Sequence, residues 1–180
     1  MKLRLLEKKD VLGMLEWMHD PAVNCFFRFH ADSMTEEKAL SFIENAKKQA
    51  EEGKNYHFAI TDQNDEYLGT ISLKEVDWEA KVAEYAISLR KMVWGRGIAT
   101  QATKEILKYA FETLELNKIF LNVISNHEKA IHLYEKCGFR FEGEFKNHIF
   151  VKGEIKSLQW FRILKEEYLE DQMKNENTAK

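Results

Sequence analysis

The sequence predicts one mixed α/β domain. Its sheet has about seven strands, mostly antiparallel, with a central parallel β-α-β unit and flanking helices. Three observations carry this. Strand-type and helix-type apolar periodicities alternate along the 180 residues. Three successive strands are joined by short polar turns, a meander that requires antiparallel pairing. Glu84 to Ile124 then reads strand, glycine turn, amphipathic helix, strand, the pattern of a right-handed parallel crossover.

Taken in order, Lys2 to Leu6 is a first strand, and Asp10 is placed to cap a short helix through Met18 with Val11, Met14, Leu15 and Met18 on one face. Asp20-Pro21 ends that helix, because proline cannot continue it and restrains the residue before it. Ala22 to Asp32 is aromatic-rich without a clear period and reads as irregular or a short helix. Ser33 and Glu36 have capping-box spacing, so a second helix is expected over Met34 to Glu52, with Leu40, Ile43, Ala46 and Ala50 as its apolar stripe and Gly53 as its stop. Tyr56 to Thr61 and Tyr67 to Val76 form a hairpin around Asp62-Gln63-Asn64-Asp65, and a turn near Asp77 to Lys81 leads into the strand Val82 to Leu89. A helix follows from Ile98 to about Leu114, then a strand over Lys118 to Ile124 and a short helix over Glu128 to Cys137, stopped by Gly138. Arg140 to Phe150 and Ile155 to Leu164 are two long strands around Lys152-Gly153. The expected domain is residues 1–168, followed by a charged, disordered tail over 169–180.

A hydrophobic share of 44%, a charged share of 32% and a formal net charge of -3 are those of a globular protein with no broad attraction for nucleic acid. The N-terminal MKLRLLEKKD carries charges where a signal peptide needs an apolar core, and no stretch approaches the length of a membrane span. No membrane partner is expected, and the cytoplasm is the expected location. Cys25 and Cys137 have neither metal-like nor redox-like spacing and read as free thiols. No metal is expected.

The chain is organised around the turn Trp94-Gly95-Arg96-Gly97-Ile98-Ala99. A strand before it and a helix N-terminus after it make an anion cradle. Unpaired amides and the positive end of the helix dipole converge there, and glycine lets a phosphate approach the main chain. A P-loop is excluded, since no lysine follows a glycine at the required place. A dinucleotide fingerprint fits Gly95 and Gly97 but finds Thr100 at its third position, in a chain whose meander departs from repeated βα units.

The same turn resembles the acyl-coenzyme A signature of the GNAT superfamily of N-acetyltransferases, [QR]-x-x-G-x-[GA]. Gly97 and Ala99 fit it, and Trp94 stands at the first position. W-G-x-G-x-A-T is a variant found in the branch that includes ribosomal-protein N-terminal acetyltransferases and spermidine acetyltransferase. Downstream, His127 to Phe139 (HEKAIHLYEKCGF) resembles the family's N-x-x-A-x-x-L-Y-x-x-x-G-F segment. Asn126 and His127 compete for the place of its asparagine. The resemblance implies a GNAT fold and acetyl transfer from acetyl-CoA to a primary amine by direct attack in a ternary complex. A non-catalytic acyl-CoA sensor on the same fold and a dinucleotide-binding oxidoreductase are the alternatives.

Site residues follow from the chemistry and the resemblance together. The turn from Trp94 through Gly95, Arg96, Gly97, Ile98 and Ala99 to Thr100 would hold the coenzyme pyrophosphate, Arg96 adding charge at the rim. By resemblance, Ile87, Ser88 and Leu89 pair with the pantetheine arm, and Asn126 or His127, with Ala130 and Lys136, completes the coenzyme site. An alkylamine is neutral only about one time in a thousand near pH 7, so a base is useful. Glu84, where the strand enters the site, is the candidate, with Glu75, His30 and His148 in reserve. By resemblance Tyr134 is the general acid that protonates the leaving thiolate. Cys137 has no recognisable His–Asp partners and reads as a packing residue rather than a nucleophile.

The acceptor, a small amine, an amino sugar or a protein N-terminus, should be selected by Asp20 to Gly53, the hairpin turns and the strands after Arg140. The run Asn24 to His30 reads first as core. Asp32, Glu36, Glu75, Asp77 and Glu84 are acidic residues that would attract a cation. The long C-terminal strands make a homodimer reasonable.

Overall fold

A computed structural model describes residues 1–27 and 29–178, with side chains through 174. Seven strands form one sheet in the order β1-β2-β3-β4-β5-β7-β6: β1 (Lys2–Leu5), β2 (Tyr56–Thr61), β3 (Tyr67–Asp77), β4 (Val82–Leu89), β5 (Lys118–Ile124), β6 (Arg140–Val151) and β7 (Glu154–Leu164). The one parallel pair is β4 with β5; the other five are antiparallel. This is the predicted sheet.

The helices divide between its faces. α1 (Val11–His19) and α3 (Glu36–Glu51) lie over the β1–β3 end, where Met14, Trp17, Ala39 and Ile43 bury with Ala59. On the opposite face, Ile71, Leu73, Tyr85, Ile119, Leu121, Phe161 and Ile163 meet Ala102, Ile106, Ala110 and Phe111 in the main core. These last four come from α4 (Ile98–Lys108) and the wider π turn that extends it over Tyr109–Thr113. α5 (Glu128–Lys136) adds Tyr134 to the same core.

Local chemistry explains the element ends. Asp20 closes α1 and its carboxylate caps the short α2 (Pro21–Asn24), accepting the Ala22 N–H at 2.8 Å, with proline at the first helical position. Asp10 sits in a 3₁₀ turn before α1 and makes no cap to the helix. Its buried carboxylate takes both Nη atoms of Arg4 at 2.7 and 2.8 Å, while Arg4 Nε reaches Asp65 at 2.6 Å. One guanidinium thus ties β1 to the start of α1 and to the β2–β3 turn. It is held firmly protonated by these carboxylates against the cost of partial burial.

Besides the Asp10 cap, two further expectations are corrected. α3 is capped by Thr35, whose extended backbone lets its hydroxyl accept the Lys38 N–H at 3.3 Å; Ser33 instead donates to His30 O at 2.8 Å within a 3₁₀ turn. The tail expected to be disordered from 169 continues a helix, α6 (Lys165–Thr178). Tyr168 anchors it by burying against Phe111 (ring centroids 5.0 Å) with its hydroxyl on Glu112 at 3.0 Å. Glu167 accepts the Leu164 N–H at 3.0 Å at its start. Ala22 to Asp32 begins within α2 and ends in the 3₁₀ turn Ala31–Ser33; Arg28, within that run, lies outside the described residues.

Candidate active site

The parallel pair that defines the crossover is short. β4 and β5 pair only at Val82↔Lys118, Ala83↔Ile119 and Glu84↔Phe120, although β4 runs on to Leu89 and β5 to Ile124. Beyond Glu84 the two strands part, leaving a wedge in the middle of the sheet. β4 stays paired to β3 on its other edge, Ile87 with Ile71, Ser88 with Thr70 and Leu89 with Gly69. The Arg90 N–H donates to Leu68 O at 2.9 Å. Amides alternate in direction along an antiparallel strand, so the N–H groups of Tyr85, Ile87 and Leu89 face the wedge, open to an added strand-like ligand.

The turn after β4 sits at the mouth of this wedge. Gly95 and Gly97 both have φ of +75°, the left-handed region that glycine reaches without strain, and a Cβ built on either would meet nothing within 4 Å. Gly97 is the N-cap of α4 and its carbonyl accepts the Gln101 N–H at 3.1 Å. The amides of Ile98, Ala99 and Thr100, in the first turn, therefore lack intrahelical partners. Trp94 lies exposed over the turn, its indole N–H donating to Leu89 O at 3.3 Å, and Arg96 is exposed at the rim. Free amides, a helix N-terminus and unobstructed space fit a diphosphate.

Two candidate catalytic groups reach the wedge from opposite sides of the sheet. Glu84 and Tyr85 are consecutive on β4 and so point to opposite faces. On the core face Tyr134 stands edge-on to Tyr85, ring centroids 5.9 Å apart. The Tyr85 hydroxyl is bonded to Thr103 Oγ1 at 2.7 Å, whereas the Tyr134 hydroxyl has no hydrogen-bond partner among the described residues. Burial, with a smaller contribution from Cys137, raises the Tyr134 phenol well above the ordinary tyrosine range, so it is a protonated donor at neutral pH. Burial also pushes the Cys137 thiol up, which keeps it from acting as a thiolate nucleophile.

On the other face Glu84 is 14% exposed, with Lys74 Nζ at 3.0 Å from Oε2 and the Asn122 amide donating to Oε1 at 3.1 Å. A nearby lysine is the partner the sequence allows for a glutamate at a strand end; the Asn122 amide is not foreseen there. Asn122 did carry a signal, being the one polar amide in the apolar run Ile119 to Ile124. The same face carries Phe120, Trp160 and Phe145 as an aromatic wall, with centroids of 6.0 Å for Phe120–Trp160 and 5.6 Å for Phe145–Trp160.

The remaining predicted residues are less concentrated. Asn126 is exposed in the β5–α5 turn, but the His127 ring stacks on Phe26 at 3.7 Å and is kept from protonating chiefly by burial. Asn126 is thus the freer of the two side chains. Ala130 packs against the core and Lys136 is exposed in the last turn of α5. Of the reserve bases, Glu75, His30 and His148 are all exposed, His148 with its ring edge on Phe145 at 4.9 Å. Asp32, Glu36 and Asp77 are exposed as well; Asp77 caps the β3–β4 turn, accepting the Glu79 and Ala80 N–H groups.

Residues 1–140 match the family model described as an acetyltransferase (GNAT) domain. Spermidine N(1)-acetyltransferase of Escherichia coli K12 is 29% identical over 171 residues, covering 93% of this chain and 88% of that protein. Its namesake from Vibrio cholerae is 33% identical over 112 residues, 62% of this chain and just under two thirds (65%) of the relative. A crystal structure of the Vibrio cholerae spermidine N-acetyltransferase in complex with CoA and spermine superposes with a TM-score of 0.83 at 26% identity, covering 93% of this chain and 97% of the other.

Proposed function

Since the chain belongs to the GNAT acetyltransferase family, and so moves an acetyl group from acetyl-CoA to an amine, we propose that it acts on a polyamine, with Tyr134 as general acid and Glu84 as acceptor-side carboxylate. The observation that carries this is the parting of β4 from β5 immediately after Glu84, with Tyr134 on one face of the opening and Glu84 on the other.

In this reading the amides of Ile87 and Leu89 bind the pantetheine arm, and the turn from Gly95 to Thr100 holds the pyrophosphate. The bound coenzyme supplies the acetyl group as an activated thioester. A strand amide facing the wedge stabilises charge on the thioester oxygen. Glu84 orients the acceptor ammonium and receives its proton through water. As the amine nitrogen bonds to the acetyl carbon and the C–S bond breaks, Tyr134 gives its phenolic proton to the departing sulfur, and the second proton lost by the nitrogen returns through water to the phenolate. Its position inside the core, without a competing hydrogen-bond partner among the described residues, suits it to that task.

Polyamine acceptors are supported by the names of the relatives and by the chemistry of the Glu84 face. A carboxylate there already holds a primary alkylammonium, beside aromatic rings that favour cations and methylene chains. A homo-oligomer is part of the same proposal. Phe150 and Ile155, 69% and 63% exposed, flank the tip of the β6–β7 hairpin and are suited to cover by another subunit.

The test is a thiol-release assay with acetyl-CoA against spermidine, an aminoglycoside and an N-terminal peptide. Spermidine should give the highest kcat/KM, and Glu84→Gln should lower it about 10²-fold. Binding of acetyl-CoA without thiol release against any amine would instead identify a sensor.

A further inference from the structure

The ion pair on Glu84 sits at the last regular cross-strand pair before a defect in the sheet. β3 and β4 pair regularly up to Lys74↔Glu84 and resume at Asp77↔Val82, so Glu75 and Val76 together stand opposite Ala83. Glu75 takes φ of +51°, a conformation glutamate avoids, and is held there by its N–H on Asn55 Oδ1 at 2.7 Å; the Val76 N–H bonds Lys54 O at 3.0 Å. Lys74, directly opposite Glu84 at the edge of this bulge, has its ammonium 3.0 Å from Glu84 Oε2.

The two partners are unequal. Glu84 is 14% exposed and is steadied by Asn122, while Lys74 is 34% exposed on a flexible four-carbon stem. The lysine can swing out to water; the carboxylate is fixed at the fork. Chemically, Lys74 Nζ is a primary alkylammonium, the group an amine acceptor presents before it loses its proton. Resting on the reading of Glu84 as the acceptor-side carboxylate, we infer that Lys74 is a built-in competitor of the acceptor: it occupies Glu84 in the free enzyme and yields it to the incoming ammonium, thereby setting the acceptor KM.

A competitor tethered in the site lowers apparent affinity by the fraction of molecules whose carboxylate is free. For a partly exposed ion pair that factor is about two- to fivefold. The experiment compares wild type, Lys74→Met and Lys74→Arg in steady-state assays with spermidine and acetyl-CoA at fixed ionic strength, with thermal melts to establish folding. Lys74→Met should lower the spermidine KM about two- to fivefold, leaving kcat and the acetyl-CoA KM near their wild-type values. Lys74→Arg keeps the charge and its reach to Glu84, so its spermidine KM should equal or exceed that of wild type.

An unchanged or raised spermidine KM in a folded Lys74→Met, or a Lys74→Arg as improved as the methionine variant, overturns the inference while the acetyl-transfer reading stands. A wild-type enzyme that releases no thiol with any amine overturns both.

Discussion

Tyr85 and Tyr134 meet edge to face with ring centroids 5.9 Å apart, yet only one of their hydroxyls is committed to a partner among the described residues. Thr103 donates its own proton to Ala99 O at 2.7 Å, so the Tyr85 hydroxyl must be the donor in its bond to Thr103 Oγ1. Two tyrosines in one core therefore have separable roles. Tyr134→Phe should lower kcat about 10²-fold or more, with the melting temperature and acetyl-CoA affinity near wild type. Tyr85→Phe should do the reverse, costing about 1 kcal/mol of stability for the lost buried bond and retaining turnover. Paired activity assays and denaturant melts of the two variants check this; equal losses of activity would remove the distinction.

Gly97 caps α4 at φ of +75° with open space where a Cβ would stand. Alanine there meets no clash, so its cost is conformational, about 1–2 kcal/mol. Because the strain falls on the amides proposed to bind the coenzyme, the acetyl-CoA KM of Gly97→Ala should rise more than the acceptor KM. Separate titration of the two substrates measures the split.

His57 is buried on β2, with Nδ1 2.7 Å from Ser72 Oγ. Burial first, and then the charge of Lys74, lowers its pKa to about 4 from 6.5. Between these values the unfolded chain binds the extra proton and the folded chain does not. Stability from this site is therefore complete above about pH 6.5 and falls as pH drops toward 4, by about 3 kcal/mol in all. Urea melts across that window should show the slope, and His57→Gln should flatten it. A slope unchanged in the glutamine variant would exclude His57 as its source.

Asp10, 1% exposed, accepts three hydrogen bonds, two from Arg4 and one from the Glu7 N–H at 2.8 Å. Arg4 is 19% exposed and keeps Asp65 as a second partner, which places the loss at the low end for a broken buried pair. Asp10→Ala should cost about 3 kcal/mol in equilibrium denaturation, without changing the acceptor or acetyl-CoA KM of the folded enzyme.

The succession of elements and the crossover were legible because alternation and helical period are local properties of the chain. The Gly95–Gly97 turn was legible for the same reason, since glycine at a strand-to-helix junction has few other uses. Capping was less so. Ser33 and Thr35 are both competent caps two residues apart, and the choice fell to Thr35 through backbone angles set by the 3₁₀ turn before it. The helix over 165–178 was missed because its sequence is highly charged; what holds it is Tyr168 on Phe111, a contact between residues far apart in the chain.

From the sequence by itself came the fold class, the glycine turn proposed to hold a phosphate, the family resemblance, and Glu84 and Tyr134 as the residues to watch. Only the tertiary structure decided where those two stand. Where β4 parts from β5, which side of the sheet each residue addresses, and that Lys74 and Asn122 occupy Glu84 all depend on the register of three strands. Register arises from pairing between distant segments, and a one-residue slip would send each side chain to the other face.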